Sequence, residues 1–204
     1  MKITNIEAQK KIRGRYSVFV DGKFAFGLSE SGILESKIKV GQEITTQELN
    51  ELKRLSETDK LYGLTINLIA RRPRSKKELS DYLYRKTDDI NEREKILNKL
   101  SNHNLIDDED FARRWVESRR ILKSVSKRKL QLELRSKGIS SEIIDKVLSD
   151  GQEDELKALK DLIDKKRKAS RYQDDQKLMA YLARQGFKYD DIKNVLNKRE
   201  GDYE

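Results

Sequence analysis

The chain contains no cysteine, one proline and one histidine. Without cysteine there is no disulfide, no thiolate nucleophile and no thiolate metal ligand. A chain built this way suits a reducing compartment, and a cytoplasmic location is expected. The histidine, His103, stands in the run Ser101-Asn102-His103-Asn104 and reads as a turn residue. With no second histidine and no cysteine, a zinc site lacks its usual ligands. There is no glycine-rich phosphate loop and no Ser-His-Asp arrangement, so no enzyme, no metal and no cofactor are expected. No apolar run approaches the roughly 20 residues that span a bilayer. The N-terminal stretch MKITNIEAQKKIRGR has no apolar segment of the signal-peptide type. No membrane association is expected, and the chain is taken as a monomer.

Charge, in contrast, is abundant. Charged residues make up 40% of the 204 and hydrophobic residues 35%. That apolar share suits thin helical bundles better than one thick core. Lys plus Arg number 45 against 36 Asp plus Glu, a net charge of +9. Such a balance favours polyanions, nucleic acid first and acidic protein surfaces second; a well-solvated helical surface would also account for it.

The opening of the chain carries a two-residue period. Tyr16, Val18 and Val20 alternate with Ser17 and Phe19, Asp21-Gly22 follows, and Lys23 to Gly27 come next. An Asp-Gly pair between such runs predicts a hairpin, because both turn positions want positive φ. Ile3 to Ala8 suit a third strand, and Phe24 and Phe26 are expected in the core. Thr45-x-x-Glu48 is a capping box that opens a short helix toward Leu55. A domain boundary is placed at 56, giving a β-rich domain over 1–56.

Beyond it the period is helical, and one pattern recurs. Leu79 and Leu83 precede Lys86-Thr87, and Ile96-Leu97 follow. Leu130 and Leu134 precede Lys137-Gly138, and Val147-Leu148 follow. Leu178 and Leu182 precede Gln185-Gly186, and Val195-Leu196 follow. The apolar pair stands nine and ten residues after the Thr or Gly each time. Three units spaced by roughly 50 residues are the mark of a repeat protein. The fold class is therefore mainly α: tandem three-helix repeats in an elongated array over 57–105, 106–151 and 152–204, preceded by the hairpin domain. In the first repeat Leu61, Leu64 and Leu68 form a stripe, Pro73 breaks the chain, and Ser75-x-x-Glu78 and Asn91-x-x-Glu94 cap helices. In the second, the acidic run Asp107 to Asp110 starts a helix with Phe111, Trp115 and Leu122 on one face. Gly138 is a left-handed cap, and Thr87 takes the same slot.

Basic clusters lie near the junction of the first and second helix of each repeat. They comprise Arg71, Arg72, Arg74, Lys76 and Lys77; Arg119, Arg120, Lys123, Lys127, Arg128 and Lys129; and Lys165, Lys166, Arg167, Lys168 and Arg171. Arg113 and Arg114 extend the second cluster backward. Stacked repeats would align these into a stripe able to follow a phosphate backbone. The helix macrodipole also favours cations at such ends. Trp115 could stack on a base, but its spacing from Phe111 suits the core better. A helix-turn-helix reading fits the first repeat alone, with Leu79 to Tyr84 as recognition helix.

The stretch Ala70-Arg71-Arg72-Pro73-Arg74-Ser75-Lys76-Lys77-Glu78-Leu79 resembles the first-repeat signature of the RecX family. Leu105-Ile106-Asp107-Asp108-Glu109-Asp110-Phe111-Ala112, with Trp115-Val116 and Ser118-Arg119, resembles its second-repeat signature. Glu133-Leu134-Arg135-Ser136-Lys137-Gly138-Ile139 is similar to the ending of that repeat, and Arg15 to Gly22 to the N-terminal hairpin of the Gram-positive members. The family often has Gly-Pro before the second helix of the second repeat, where this chain has Ser124-Val125-Ser126; the third repeat follows the pattern only loosely. The resemblance implies a regulator that binds RecA–DNA filaments along their groove and inhibits strand exchange, ATP hydrolysis and co-protease activity. It implies the RecA filament as partner, with DNA, single-stranded or double-stranded, contacted directly by the basic clusters. The alternative is a sequence-tolerant DNA-binding helical protein without RecA specificity.

Overall fold

A computed structural model of the chain describes residues 1–149 and 152–200, the side chains of residue 152 and residues 198–200 excepted. The expected boundary at 151 and the end of the last repeat at 204 lie outside the described residues. Among these residues the fold is mainly α, with a three-stranded antiparallel sheet at the N-terminal end. Two compact units are distinguished, Met1–Pro73 with Leu79–Leu105, and Arg74–Glu78 with Ile106 onward.

In the first unit the strands are β1 (Ile3–Ala8), β2 (Arg15–Val20) and β3 (Lys23–Ser29), in that order across the sheet. Asp21 and Gly22 have φ of 49° and 77°, the paired positive angles the sequence calls for. Ile3, Val18, Val20, Phe26 and Leu28 face inward and are joined by Ile38 and Ile44. Phe26 is buried as expected, but Phe24 is 61% exposed. Val18 pairs with Phe26 and Phe19 with Phe24, so Ala25 is one residue too many on β3. That bulge reverses the alternation and turns Phe24 to the outer face, edge-on to Phe19 at 6.0 Å.

Helix α1 (Glu30–Ser36) follows, unforeseen in the sequence, capped by Ser29. Helix α2 (Thr46–Arg71) opens on the expected Thr45–Glu48 capping box but does not stop near Leu55; the residue-56 boundary falls inside it. The middle of the helix is fixed to the sheet. Ser56 Oγ donates to Gly27 O at 2.6 Å, and the Asp59 carboxylate takes Ser29 N at 2.8 Å, Ser29 Oγ and Arg15 Nη1 at 3.2 Å. The Asp59 side chain is only 7% exposed, so its charge is balanced by Arg15 and two donors rather than by water. The same middle stretch of α2 meets α4 (Ile90–Asn102) through Thr58 Oγ1, which donates to Glu92 at 2.9 Å. Its buried position is Thr65, whereas the expected stripe residue Leu64 is exposed.

Helix α3 (Lys76–Tyr84) buries Leu79 and Leu83, and α4 buries Ile96 and Leu100. The cap of α4 is Asp89, not the expected Asn91: its carboxylate accepts the backbone N–H groups of Asn91 and Glu92. A carboxylate at this position also matches the helix dipole. Thr87 is not left-handed; the residue with positive φ after α4 is Asn104, and His103 closes the helix as an exposed turn residue.

The second unit holds two three-helix sets. Helices α5 (Asp108–Leu122), α6 (Lys127–Ser136) and α7 (Ser141–Val147) enclose Phe111, Val116, Leu130, Leu134, Ile144 and Leu148. Helices α8 (Gln152–Arg167), α9 (Asp175–Arg184) and α10 (Tyr189–Glu200) enclose Leu159, Ile163, Leu178, Leu182, Ile192 and Val195. Gly138 and Gly186 have φ of 77° and 94° and end α6 and α9 in the same way. Gly138 N donates to Arg135 O and Ile139 N to Leu134 O; Gly186 N donates to Ala183 O and Phe187 N to Leu182 O. Leu122, expected on the inner face with Phe111, is 72% exposed as the last residue of α5.

Candidate nucleic-acid interface

The second unit contains the same joint twice. Ser75 caps the start of α3, accepting Glu78 N at 3.2 Å, and its hydroxyl donates to Lys137 O at 2.7 Å. Ser126 caps α6, accepting Lys129 N at 3.2 Å, and donates to Gln185 O at 2.6 Å. Both serines are fully buried. A hydroxyl is required because the cap must accept while the same oxygen donates, which an ionised carboxylate cannot do. The first helical N–H is used as well: Lys76 N donates to Asp108 at 2.8 Å and Lys127 N to Glu155 at 2.6 Å.

Glycine makes room for this approach. A Cβ on Gly138 would come within 2.5 Å of Lys77 Cβ, and one on Gly186 within 2.8 Å of Ser126 Oγ and 3.2 Å of Arg128 Cβ. The third set caps α9 with Asp174, which accepts Lys177 N; that bond holds its carboxyl below the usual range. Glu155 moves the other way. Burial pushes its carboxyl up, and the Lys127 N–H offsets this only in part, with Asp191 nearby adding to the rise.

These joints fix where the basic residues stand. Arg71 ends α2 and Arg72 follows it, both exposed, in the first unit. Arg74, Lys76 and Lys77 belong to the second, with the Lys77 stem lying over Gly138. The middle cluster is more neutralised than its sequence suggests. Arg113 pairs with Glu109 at 2.6 Å and Arg114 with Asp110 at 2.7 Å, each one turn away. The acidic run at 107–110 thus caps the helix through Asp107 and also binds its arginines. Bonds from Lys146 and Arg113 lower the Glu109 carboxyl. Arg119 pairs with Glu133 at 2.8 Å and Arg120 with Asp154 at 2.6 Å, both about two-thirds covered. Arg119 and Arg120 are therefore paired and partly covered, where the sequence suggests open helix-end charges.

Trp115 belongs to the same arrangement. Its Nε1 donates to Glu133 at 2.9 Å, Arg119 lies 4.7 Å from its ring and Lys137 5.0 Å, and Phe111 stacks at 5.8 Å. Its faces are occupied, in line with the packing role expected from its spacing.

In the last cluster Arg167 binds the carbonyls of Tyr172 and Gln173 and the Asp175 carboxylate. Lys166 lies over Tyr181 at 4.8 Å and Tyr172 at 5.6 Å. Lys165 reaches Ser124 at 3.3 Å, and Lys168 is exposed. Among the described residues Arg128, Lys129, Lys165 and Lys168 meet no carboxylate. One cation escaped the sequence reading: Arg184, next to the Gln185-Gly186 cap, which lines a cavity with Arg128 and Lys129. Its nearest signal was its place within the recurring helix-ending pattern.

Comparison with known proteins decides the family. Residues 1–45 match the model of the regulatory protein RecX N-terminal domain, 107–148 that of the second three-helix domain of RecX and 153–196 that of the third. A regulatory protein RecX of Clostridium botulinum (strain Eklund 17B / Type B) is 30% identical over 204 residues, covering 97% of this chain and 95% of that protein. The chain belongs to the RecX family. A RecX of Listeria monocytogenes serovar 1/2a is 29% identical, over 92% of this chain and 71% of its own length. A crystal structure of regulatory protein RecX superposes with a TM-score of 0.79 at 25% identity, covering 96% of this chain and 98% of the other. RecX from Lactobacillus salivarius shares the fold, with a TM-score of 0.62 over 70% of this chain and 96% of its own. The third repeat is thus more typical of RecX than its motifs suggest. Among the described residues, no helix is long and apolar enough to cross a membrane.

Proposed function

We propose that this RecX chain is a non-enzymatic regulator that binds RecA–DNA filaments and inhibits strand exchange, ATP hydrolysis and co-protease activity. The reading rests on family membership over nearly the whole chain. The observation that carries it physically is the duplicated serine joint. Within the second unit it ties helix starts to helix ends beside Lys76, Lys77, Lys127, Arg128 and Lys129, so these charges are presented by a hydrogen-bonded backbone. Such presentation lowers the entropy lost on meeting an extended partner. In this reading the chain combines an N-terminal β-rich domain with three helical repeats and acts as a cytoplasmic monomer.

Of the basic residues, Arg71, Arg72, Arg74, Lys76, Lys77, Lys127, Arg128 and Lys129 face the filament, with Lys165, Lys166, Arg167 and Lys168 contributing less. Arg113, Arg114, Arg119 and Arg120 act mainly by shaping the surface, because carboxylates already hold them.

Direct DNA binding without RecA specificity is the second reading, favoured by the carboxylate-free cations around Arg128. Co-sedimentation separates the two. Under the first, the chain pellets with RecA–DNA filaments in large excess over its pelleting with the same DNA alone. Equal pelleting would leave only the DNA contact.

A further inference from the structure

The two joints share one geometry and differ in charge. In the upstream joint, Lys77, Glu78 and Asp81 stand two, three and six residues after the capping serine. Glu78 receives Lys137 Nζ at 2.6 Å. In the downstream joint the same positions are Arg128, Lys129 and Leu132. Both acids have been replaced, one by a cation and one by an apolar residue. Lys129 Nζ donates to Gln185 Oε1 at 3.1 Å, a neutral partner that leaves its charge uncancelled. Arg184 adds a third cation from α9.

These residues line a concavity of about 410 Å³ between α6 and α9. No acidic side chain lines it. The Arg128 stem crosses Gly186, which holds it at the rim. Leu132, 58% exposed, gives an apolar patch beside the cations. The cavity near the end of α5 makes a contrast: Arg113 and Arg120 line it together with Glu117 and Asp154.

We propose that the α6–α9 groove is a binding site for the phosphodiester backbone of single-stranded DNA. Arg128, Lys129 and Arg184 contact phosphates, and Leu132 packs against sugar. Like charges brought this close without a carboxylate repel one another, and a polyanion relieves that repulsion while releasing its counterions. A sugar-phosphate chain fits because it offers charge at regular intervals with apolar surface between. The proposal rests on the nucleic-acid contact of the function proposed above, and it assigns that contact to one groove and adds Arg184 to it.

The test measures binding of a fluorescein-labelled oligothymidylate by anisotropy across a salt series. Loss of each phosphate contact lowers the slope of log affinity against log salt by about 0.7 for a single strand. Arg184→Gln should lower it by about 0.7, and Arg128→Gln with Arg184→Gln by about 1.4. Arg135→Gln, an exposed arginine at the position of Ala183 in the upstream joint, should leave it unchanged. Leu132→Asp, which copies Asp81, should weaken binding at every salt concentration. Circular dichroism melts establish that each variant is folded. If the parent binds the oligonucleotide and the double variant keeps the parental slope, the groove assignment is wrong while the proposed function stands. If the parent does not bind the oligonucleotide at all, the nucleic-acid contact falls and the groove with it. If poly-glutamate of matched charge binds the parent as tightly and is lost equally in the double variant, the groove is an acidic-peptide site and the proposal is overturned.

Discussion

Glu78 and Lys129 hold the same position in the two joints, three residues after the capping serine, with opposite charge. Glu78 accepts from Lys137 at 2.6 Å, and Lys129 donates to Gln185 at 3.1 Å. The contact is kept while its polarity is reversed. The pattern of hydrogen bonds, rather than the identity of the charge, is what the two joints share.

That conclusion can be tested by exchange. Glu78→Lys places two ammonium groups against each other and should cost about 1–3 kcal/mol, since both native side chains are less than one-third exposed. Glu78→Lys with Lys137→Gln copies the downstream pairing and should recover more than half of that loss. Urea unfolding of the single and double variants measures the coupling. Additive losses would show that the joint does not depend on this pair.

The serines should matter more than ordinary caps. Ser75→Ala and Ser126→Ala each remove the cap and leave a carbonyl without its donor. An unsatisfied buried acceptor costs about 1–3 kcal/mol, and a lost cap about 1. Ser140 caps α7 from an exposed position, so Ser140→Ala should cost only the cap. Chemical denaturation compares the three, and equal losses would remove the joint from the explanation.

Gly138 and Gly22 share a φ of 77° but not their surroundings. An added Cβ at Gly22 meets nothing within 4 Å, whereas at Gly138 it meets Lys77 Cβ at 2.5 Å. Gly22→Ala should cost about 1–2 kcal/mol from the left-handed backbone alone. Gly138→Ala adds displacement of the α3 start and should cost more. Thermal melts of both variants check the order.

The hairpin turn and both glycine caps were legible in the sequence because positive φ is a local demand that Asp-Gly and Lys-Gly or Gln-Gly announce. The repeats were legible because the period of their buried leucines survives surface change. The joints were not: Ser75 and Lys137 lie 62 residues apart, and Ser126 and Gln185 59, so nothing near either serine indicates its acceptor. The same holds for Arg119, whose partner Glu133 comes from the next helix. Its charge counts toward a basic cluster in sequence and toward internal cohesion in the structure. The length of α2 was hidden because the end of the two-residue period suggests a boundary near 56, whereas Ser56 and Asp59 anchor the middle of the helix to the sheet.

Glu155 gives a dependence on pH. Its carboxyl titrates higher in the folded protein than in the unfolded chain, because burial opposes its charge. Its contribution to stability is fully present below the unfolded value and is lost as pH rises through the folded value. Glu155→Gln keeps an acceptor for Lys127 N and carries no charge. The variant should therefore gain stability relative to the parent as pH rises from the ordinary carboxylate range, with the difference levelling once Glu155 is fully ionised. Denaturation across that range provides the measurement, and parallel curves would contradict the assigned cause.

RecA-catalysed strand exchange, measured with increasing amounts of the chain, tests the proposed function most directly. The parent should suppress exchange, and Arg71→Glu with Arg72→Glu, or Arg128→Glu with Lys129→Glu, should each raise the amount needed by about tenfold, since reversal turns attraction to a polyanion into repulsion. These positions are exposed, so the variants should stay folded by circular dichroism. Exchange that runs at full rate in the presence of saturating parent protein would contradict the assignment of RecA as the target.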